Sequence, residues 1–135
     1  MAEAEQVVTD THPLIFHAEG GRRLGPRAAA LFTQAEARQG TIYVPAAVIW
    51  ECSLLARVGR ITLGRSVREF FDDLFSNTAY QSLDLTPEQV FAASELGFTR
   101  DPFDALIVSA AQALRMPLIT RDAAIRASGA VKAVW

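Results

Sequence analysis

RDPFDALIVSAAQALRMPLITRD, Arg100 to Asp122, carries two patterns in one stretch. Ile107, Val108 and Ala111 follow Asp104 at three, four and seven positions, so one apolar face runs along a helix. Asp101 reads as the N-cap, Pro102 as the first helical residue and Asp104 as the third. PLIT, Pro117 to Thr120, is then a continuous apolar run of strand length, the form of a strand buried in a parallel sheet. Helix followed by buried strand is half of a βαβ unit.

The rest of the chain repeats that alternation. QVVT before Asp10 is a β-branched first strand. AEGGRRLG, Ala18 to Gly25, is turn-like, and PRAAALFTQAEARQG after it reads as a helix with Pro26 at its start and Gly40 past its end. TIYVP is a second strand, and AAVIWECSLLARVG a helix between Pro45 and Gly59. A helix is predicted around Val67 to Phe75, then a strand in AYQSLDL, then a helix with Thr86 as N-cap and Gln89 at the third position. A short helix and VKAVW close the chain. Alternating strands and helices imply one α/β domain, residues 1–135, with a parallel sheet covered on both faces. Sites in such sheets lie beyond the carboxyl ends of the strands, where Asp10 and Asp122 fall.

Bulk properties exclude several classes. Half of the 135 residues are hydrophobic and 21% are charged, so the composition is globular. No apolar run approaches the roughly 20 residues of a membrane span. The acidic start MAEAEQ has no basic n-region, so no signal peptide is expected. Cys52 is the only cysteine, which excludes an internal disulfide and fits a cytoplasmic setting. The net charge of −2 argues against a general polyanion binder. Setting aside Asp10, Glu51, Asp104 and Asp122 moves the balance from −2 to +2, and twelve of the 13 basic residues are Arg. Arginine suits bidentate phosphate contacts, although an Arg bias also arises from genome composition.

Each acid has a plain structural reading. Capping alone explains DPFD, since both acids favour the positive helix end. Glu51 interrupts a stripe of Ala47, Val48, Leu54, Leu55 and Val58, where a carboxylate needs a cation, whether an Arg or a metal. Asp10 and Asp122 suit turns or N-caps. As a set they point to chemistry: two acids after strands and two from the first turns of covering helices, converging on one edge. Clustered carboxylates repel unless cations bind between them. Oxygen ligands without Cys or His select Mg2+ or Mn2+, and such a site suits phosphodiester hydrolysis. His12, next to Asp10, is placed for a general base, but this chemistry requires none and it reads as structural or peripheral; His17 is too isolated for zinc, and Cys52 reads as core. Trp50, Phe70, Phe71 and Phe75 read as core or dimer surface.

Four pieces in order carry a resemblance: VVTDTHPLIF, VPAAVIWECSLLARVGRI, RDPFDALIVSAAQAL and PLITRD. Together they resemble the PIN-domain ribonucleases, specifically the VapC-type toxins of toxin–antitoxin systems, over Val7 to Asp122. The resemblance implies a three-layer α/β/α sandwich with a central parallel sheet. It also implies a Mg2+- or Mn2+-dependent endoribonuclease, inhibition by a cognate antitoxin protein, frequent homodimers, and a heterotetramer or larger complex with the antitoxin. By motif, Asp10, Glu51, Asp104 and Asp122 are the catalytic metal ligands. Asp101 reaches the ion through water, and Thr11 and Thr120 position ligands. Arg22, Arg23, Arg60, Arg100 and Arg121 are RNA-contact candidates from their placement near loops. One departure is Ala105, where many relatives have a basic residue after DPFD; that removes a phosphate or antitoxin contact but no metal ligand.

Competing readings are weighed on residues. A phosphotransferase of the haloacid-dehalogenase type needs an acid two residues after Asp10, where His12 stands. A receiver domain needs a lysine after a late strand, and the only Lys is Lys132. The alternative that remains is a non-catalytic PIN-like module that binds RNA or a partner.

Overall fold

In the computed structural model, which describes residues 5–135, five strands alternate with seven helices. The order is β1 (Glu5–Thr9), α1 (Thr11–Ala18), α2 (Pro26–Glu36), β2 (Gly40–Pro45), α3 (Ala46–Arg57), α4 (Val67–Ser76) and β3 (Tyr80–Leu83). It continues with α5 (Pro87–Ser94), α6 (Pro102–Leu114), β4 (Leu118–Ile119), α7 (Ala123–Ser128) and β5 (Ala133–Val134). Most of the acidic start, MAEA, lies outside the described residues.

The strands form one sheet in the order β3-β2-β1-β4-β5, with every pairing parallel. Helices cover both sides, so the expected α/β/α sandwich is the observed one. The central strands are apolar for the reason read from PLIT: Val7, Val8, Ile42, Val44, Leu118 and Ile119 are at most 2% exposed. Ile107, Val108 and Ala111 of α6 join the same core. The chain winds outward from β1 to β2 and β3, then returns to lay β4 on the other side of β1. The crevice between the ends of β1 and β4 is therefore the topological switch point, where ligands of such sheets bind.

Local chemistry starts most helices. Side chains of Ser66, Thr86, Asp101 and Asp122 accept hydrogen bonds from the first-turn amides of α4, α5, α6 and α7. Helix α2 has no side-chain cap, and the Trp135 carbonyl accepts from the Arg27 and Ala28 amides instead, at 2.9 and 3.0 Å. Gly25 makes room for this contact: a Cβ there would lie 2.5 Å from Trp135.

The structure departs from the sequence reading in three places. Helix α1 was not foreseen; THPLIFHA has no clear helical periodicity, and its signals are Asp10 before it and Pro13 in its first turn. VKAVW ends in a two-residue strand, β5, paired with β4. Glu51 is the sixth residue of α3, in its second turn rather than its first. Of the aromatics read as core or dimer surface, Phe70 and Phe71 are buried and Trp50 is 53% exposed.

Candidate metal centre

Five carboxyl side chains, from Asp10, Glu51, Asp101, Asp104 and Asp122, line a cleft of about 260 Å3 at the switch point. His12 and Arg121 share its walls. Asp10 leaves the end of β1 with its amide bonded to the Ile119 carbonyl of β4. Its buried carboxylate accepts from the Thr11 amide through Oδ1 and from the Thr120 hydroxyl through Oδ2, both at 2.7 Å. Both threonines expected beside the acids are thus in the Asp10 environment.

The DPFD pair divides. Asp101 is the cap: its Oδ1 accepts from the Phe103 amide at 2.8 Å and from the Asp104 amide at 3.3 Å. The Asp104 carboxyl has no hydrogen-bond partner among the described residues and faces the other acids. Burial first, then repulsion from Asp101, Asp10, Asp122 and Glu51, pushes Asp104 up to about 7. Asp122 caps α7 through Oδ1 to the Ile125 amide at 2.8 Å. Capping and membership of the cleft therefore coexist in Asp101 and Asp122, each of which uses one carboxylate oxygen.

Glu51 reaches the cleft from α3, where the apolar stripe runs out of the core: Ala47 and Val48 are buried, and Val58 is 66% exposed. Burial raises the Glu51 carboxyl above its ordinary value, and the nearby Thr11 hydroxyl partly offsets this. The two side chains do not reach hydrogen-bonding geometry, so Thr11 Oγ1 is buried without a partner. Burial also raises Asp10, against the opposing pull of Thr120, Thr11 and His12. Three acids held above their usual range in one cleft favour a bound cation or proton.

The donor set fits a hard divalent ion: carboxylates dominate and no thiol is near. Among the described residues, however, no three Asp, Glu, His or Cys side chains are gathered to hold one ion as they stand. The unbonded carboxyls of Asp104 and Glu51 are the ones free to close on a cation.

The five arginines are not equivalent. Arg121 lines the cleft, and its Cζ lies 4.7 Å from the Phe16 ring centroid. Arg23 lies 4.3 Å from the same centroid. Arg60 borders a shallow depression beside Glu51 and Phe103, while Arg22 and Arg100 are exposed in loops. His12, which the sequence reading set aside, is beside the acids. Phe16 was missed altogether, because in PLIF it reads only as core.

A second cavity, of about 330 Å3, lies between α1, α2 and α4. Its charges are matched within it, His17 with Glu36 at 2.9 Å and Arg65 with Asp73 at 3.1 Å. The acidic cleft, by contrast, has no ion pair among its described residues. His17 also stacks on Phe32 at 4.5 Å, a structural role. Cys52 is fully buried and its thiol is pushed up to about 12 by burial, which excludes it as a nucleophile at neutral pH.

The PIN-domain family model matches residues 7–129. The chain belongs to the PIN-domain family. Its fold is similar to that of VapBC2 from Rickettsia felis, crystallised with a promoter DNA fragment: TM-score 0.68, 18% identity, 96% of this chain and 97% of that one covered. VapBC from Salmonella typhimurium, also crystallised with DNA, matches at TM-score 0.66 and 12% identity, over 96% of this PIN domain and 97% of that chain. A Pyrobaculum aerophilum protein, PAE2754, matches at TM-score 0.60 and 20% identity, over 97% and 85%. No curated protein matches the PIN domain at the sequence level. Among the described residues no helix is long and apolar enough to cross a membrane.

Proposed function

We propose that this PIN domain is a Mg2+- or Mn2+-dependent endoribonuclease and the toxin half of a toxin–antitoxin pair. The observation that carries the reading is Asp104: an unpartnered carboxyl at the switch point, raised to about 7 by burial and four neighbouring acids. A divalent ion bound there supplies Lewis acidity toward the scissile phosphate and lowers the pKa of water. Asp10, Glu51, Asp104 and Asp122 would hold it, and Asp101 would reach it through water. Asp10 is locked by Thr11 and Thr120 and sets the position of the site. Asp104 would hold the ion as its ionised carboxylate. Water attacks phosphorus in line and the bond to the 3′ oxygen breaks, leaving a 5′-phosphate and a 3′-hydroxyl.

A cognate antitoxin partner is supported by likeness to proteins crystallised as VapBC, FitAB and a Klebsiella pneumoniae toxin–antitoxin complex. A cytoplasmic location goes with that role. A homodimer is supported by large apolar side chains exposed on two helices: Trp50 and Val58 at α3, Val90 and Phe91 on α5. The second reading is a non-catalytic module that binds RNA or a partner.

The deciding experiment compares wild type with Asp104→Asn on a pool of tRNA and rRNA, in Mg2+, in Mn2+ and in EDTA. Cutting that needs metal and Asp104 is expected. Absence of both cutting and Mn2+ binding would leave the binding module.

A further inference from the structure

Arg121 lies on the wall of a cleft with five acids, yet among the described residues it forms no ion pair with any of them. A guanidinium in that setting ordinarily forks onto a carboxylate. Its Cζ instead lies over the ring of Phe16, 4.7 Å from the centroid. Arg23, from the turn after α1, lies 4.3 Å from the same centroid, and its ion pair among the described residues is a solvent-exposed one with Glu19 at 3.5 Å. The ring itself is fixed: Phe16 is 2% exposed and the Trp135 ring meets it edge-on at 6.4 Å. Trp135 is in turn tied to α2 through the Arg27 and Ala28 amides.

We propose that Phe16 is a stacking post that holds Arg121, with Arg23 on the same ring, at the cleft wall as an anchor for an RNA backbone phosphate. The proposal rests on the nuclease reading and identifies which of the chain's arginines meets the strand. Stacking occupies the flat face of a guanidinium and leaves its N–H edge free for bidentate contact with a phosphate. It also keeps two sets of charge apart. If Arg121 collapsed onto Asp10 or Asp122, it would neutralise the acids that take up a cation and lose its own donors. A strand whose scissile phosphate enters the cleft brings a neighbouring phosphate to this wall. Phe16 is then a positioning residue that touches no substrate.

The test uses full-length protein carrying Asp104→Asn, so that the strand stays intact. Binding of a labelled single-stranded RNA of mixed sequence is followed by anisotropy across a salt titration in Mg2+. Arg121→Ala is expected to weaken binding several-fold and to flatten the log–log salt slope by about 0.7, the value for one lost contact to a single strand. Arg121→Lys keeps the charge but not the stacked fork, and is expected to restore less than half of the loss. Phe16→Leu is expected to act like Arg121→Lys when its melting curve shows a folded protein. If it does not fold, the Arg121 pair decides alone.

Unchanged affinity and slope in Arg121→Ala, with cleavage by the Asp104 protein intact, overturn the anchor and leave the nuclease standing. Full rescue by Arg121→Lys overturns the stacking post. Arg121-dependent RNA binding without cleavage by the Asp104 protein supports the anchor while the nuclease reading falls. Binding of poly-glutamate but not RNA through Arg121 overturns it in favour of an acidic protein partner.

Discussion

Asp104 and Asp10 are both raised carboxyls, but they differ in how they are held, and that difference sets what each substitution does. Asp104 is raised to about 7 by burial and like charges. A raised folded-state carboxyl contributes stability below its ordinary value near 3.8 and loses it as pH rises through about 7. Metal-free protein in EDTA is therefore expected to melt lower at pH 8 than at pH 5. Asp104→Asn removes the repulsion, worth roughly 1 kcal/mol after solvent screening, or about 4 °C at pH 8 and little at pH 4. Equal melting shifts at both pH values would contradict the clustered-acid account. Asp10 depends on a donor. Thr120→Val leaves a buried carboxylate oxygen without its partner at 2.7 Å, a loss of about 1–3 kcal/mol. The loss is expected to be larger at pH 8 than at pH 4, since the missing hydrogen bond favours the ionised form.

The elements that carry the acids are set by caps and by close approach. Asp101 begins α6, and Asn keeps a cap oxygen while Ala does not. Asp101→Ala is expected to lower stability by about 1 kcal/mol and Asp101→Asn by a few tenths. Chemical denaturation of the two variants checks this, and equal losses would mean that charge, not capping, is the role of Asp101 in the fold. At α2 the cap comes from Trp135, over Gly25. Gly25→Ala puts a Cβ 2.5 Å from Trp135, and displacement of that residue is expected to lower stability by about 1–3 kcal/mol. Hydrogen exchange should then rise first at the amides of β5, Arg27 and Ala28. Faster exchange spread evenly over the sheet would point to general destabilisation instead.

At the scale of the molecule, the apolar side chains left outside the core are the ones that speak to assembly. Trp50, Val58, Val90 and Phe91 are 44–66% exposed, an expense in water that a second copy would relieve. Light scattering is expected to find a dimer for wild type and a monomer for Trp50→Glu with Phe91→Glu. A monomeric wild type at micromolar concentration would remove the homodimer from the proposal. Sheet order has the larger consequence: β4 returning beside β1 brings Asp122 and Thr120 to Asp10 across 110 residues of chain.

The sequence by itself determined the alternation of strands and helices and the parallel sheet, which follow from local rules, namely apolar runs, proline and glycine at helix ends, and caps. It also marked Asp10, Glu51, Asp104 and Asp122 as a converging set, while Asp101 entered as a cap and through the family resemblance. The DPFD motif could be read as capping or as chemistry, because both need an acid at a helix start. Only the tertiary structure separated them, giving the hydrogen bonds to Asp101 and leaving Asp104 bare among like charges. Helix α1 escaped the reading because its apolar residues pack on several sides and leave no helical period. Phe16 escaped because its role comes from Arg23 and Arg121 meeting one ring from distant parts of the chain. Contacts of that kind depend on where the strands return in the sheet, and nothing in the spacing of the residues encodes them.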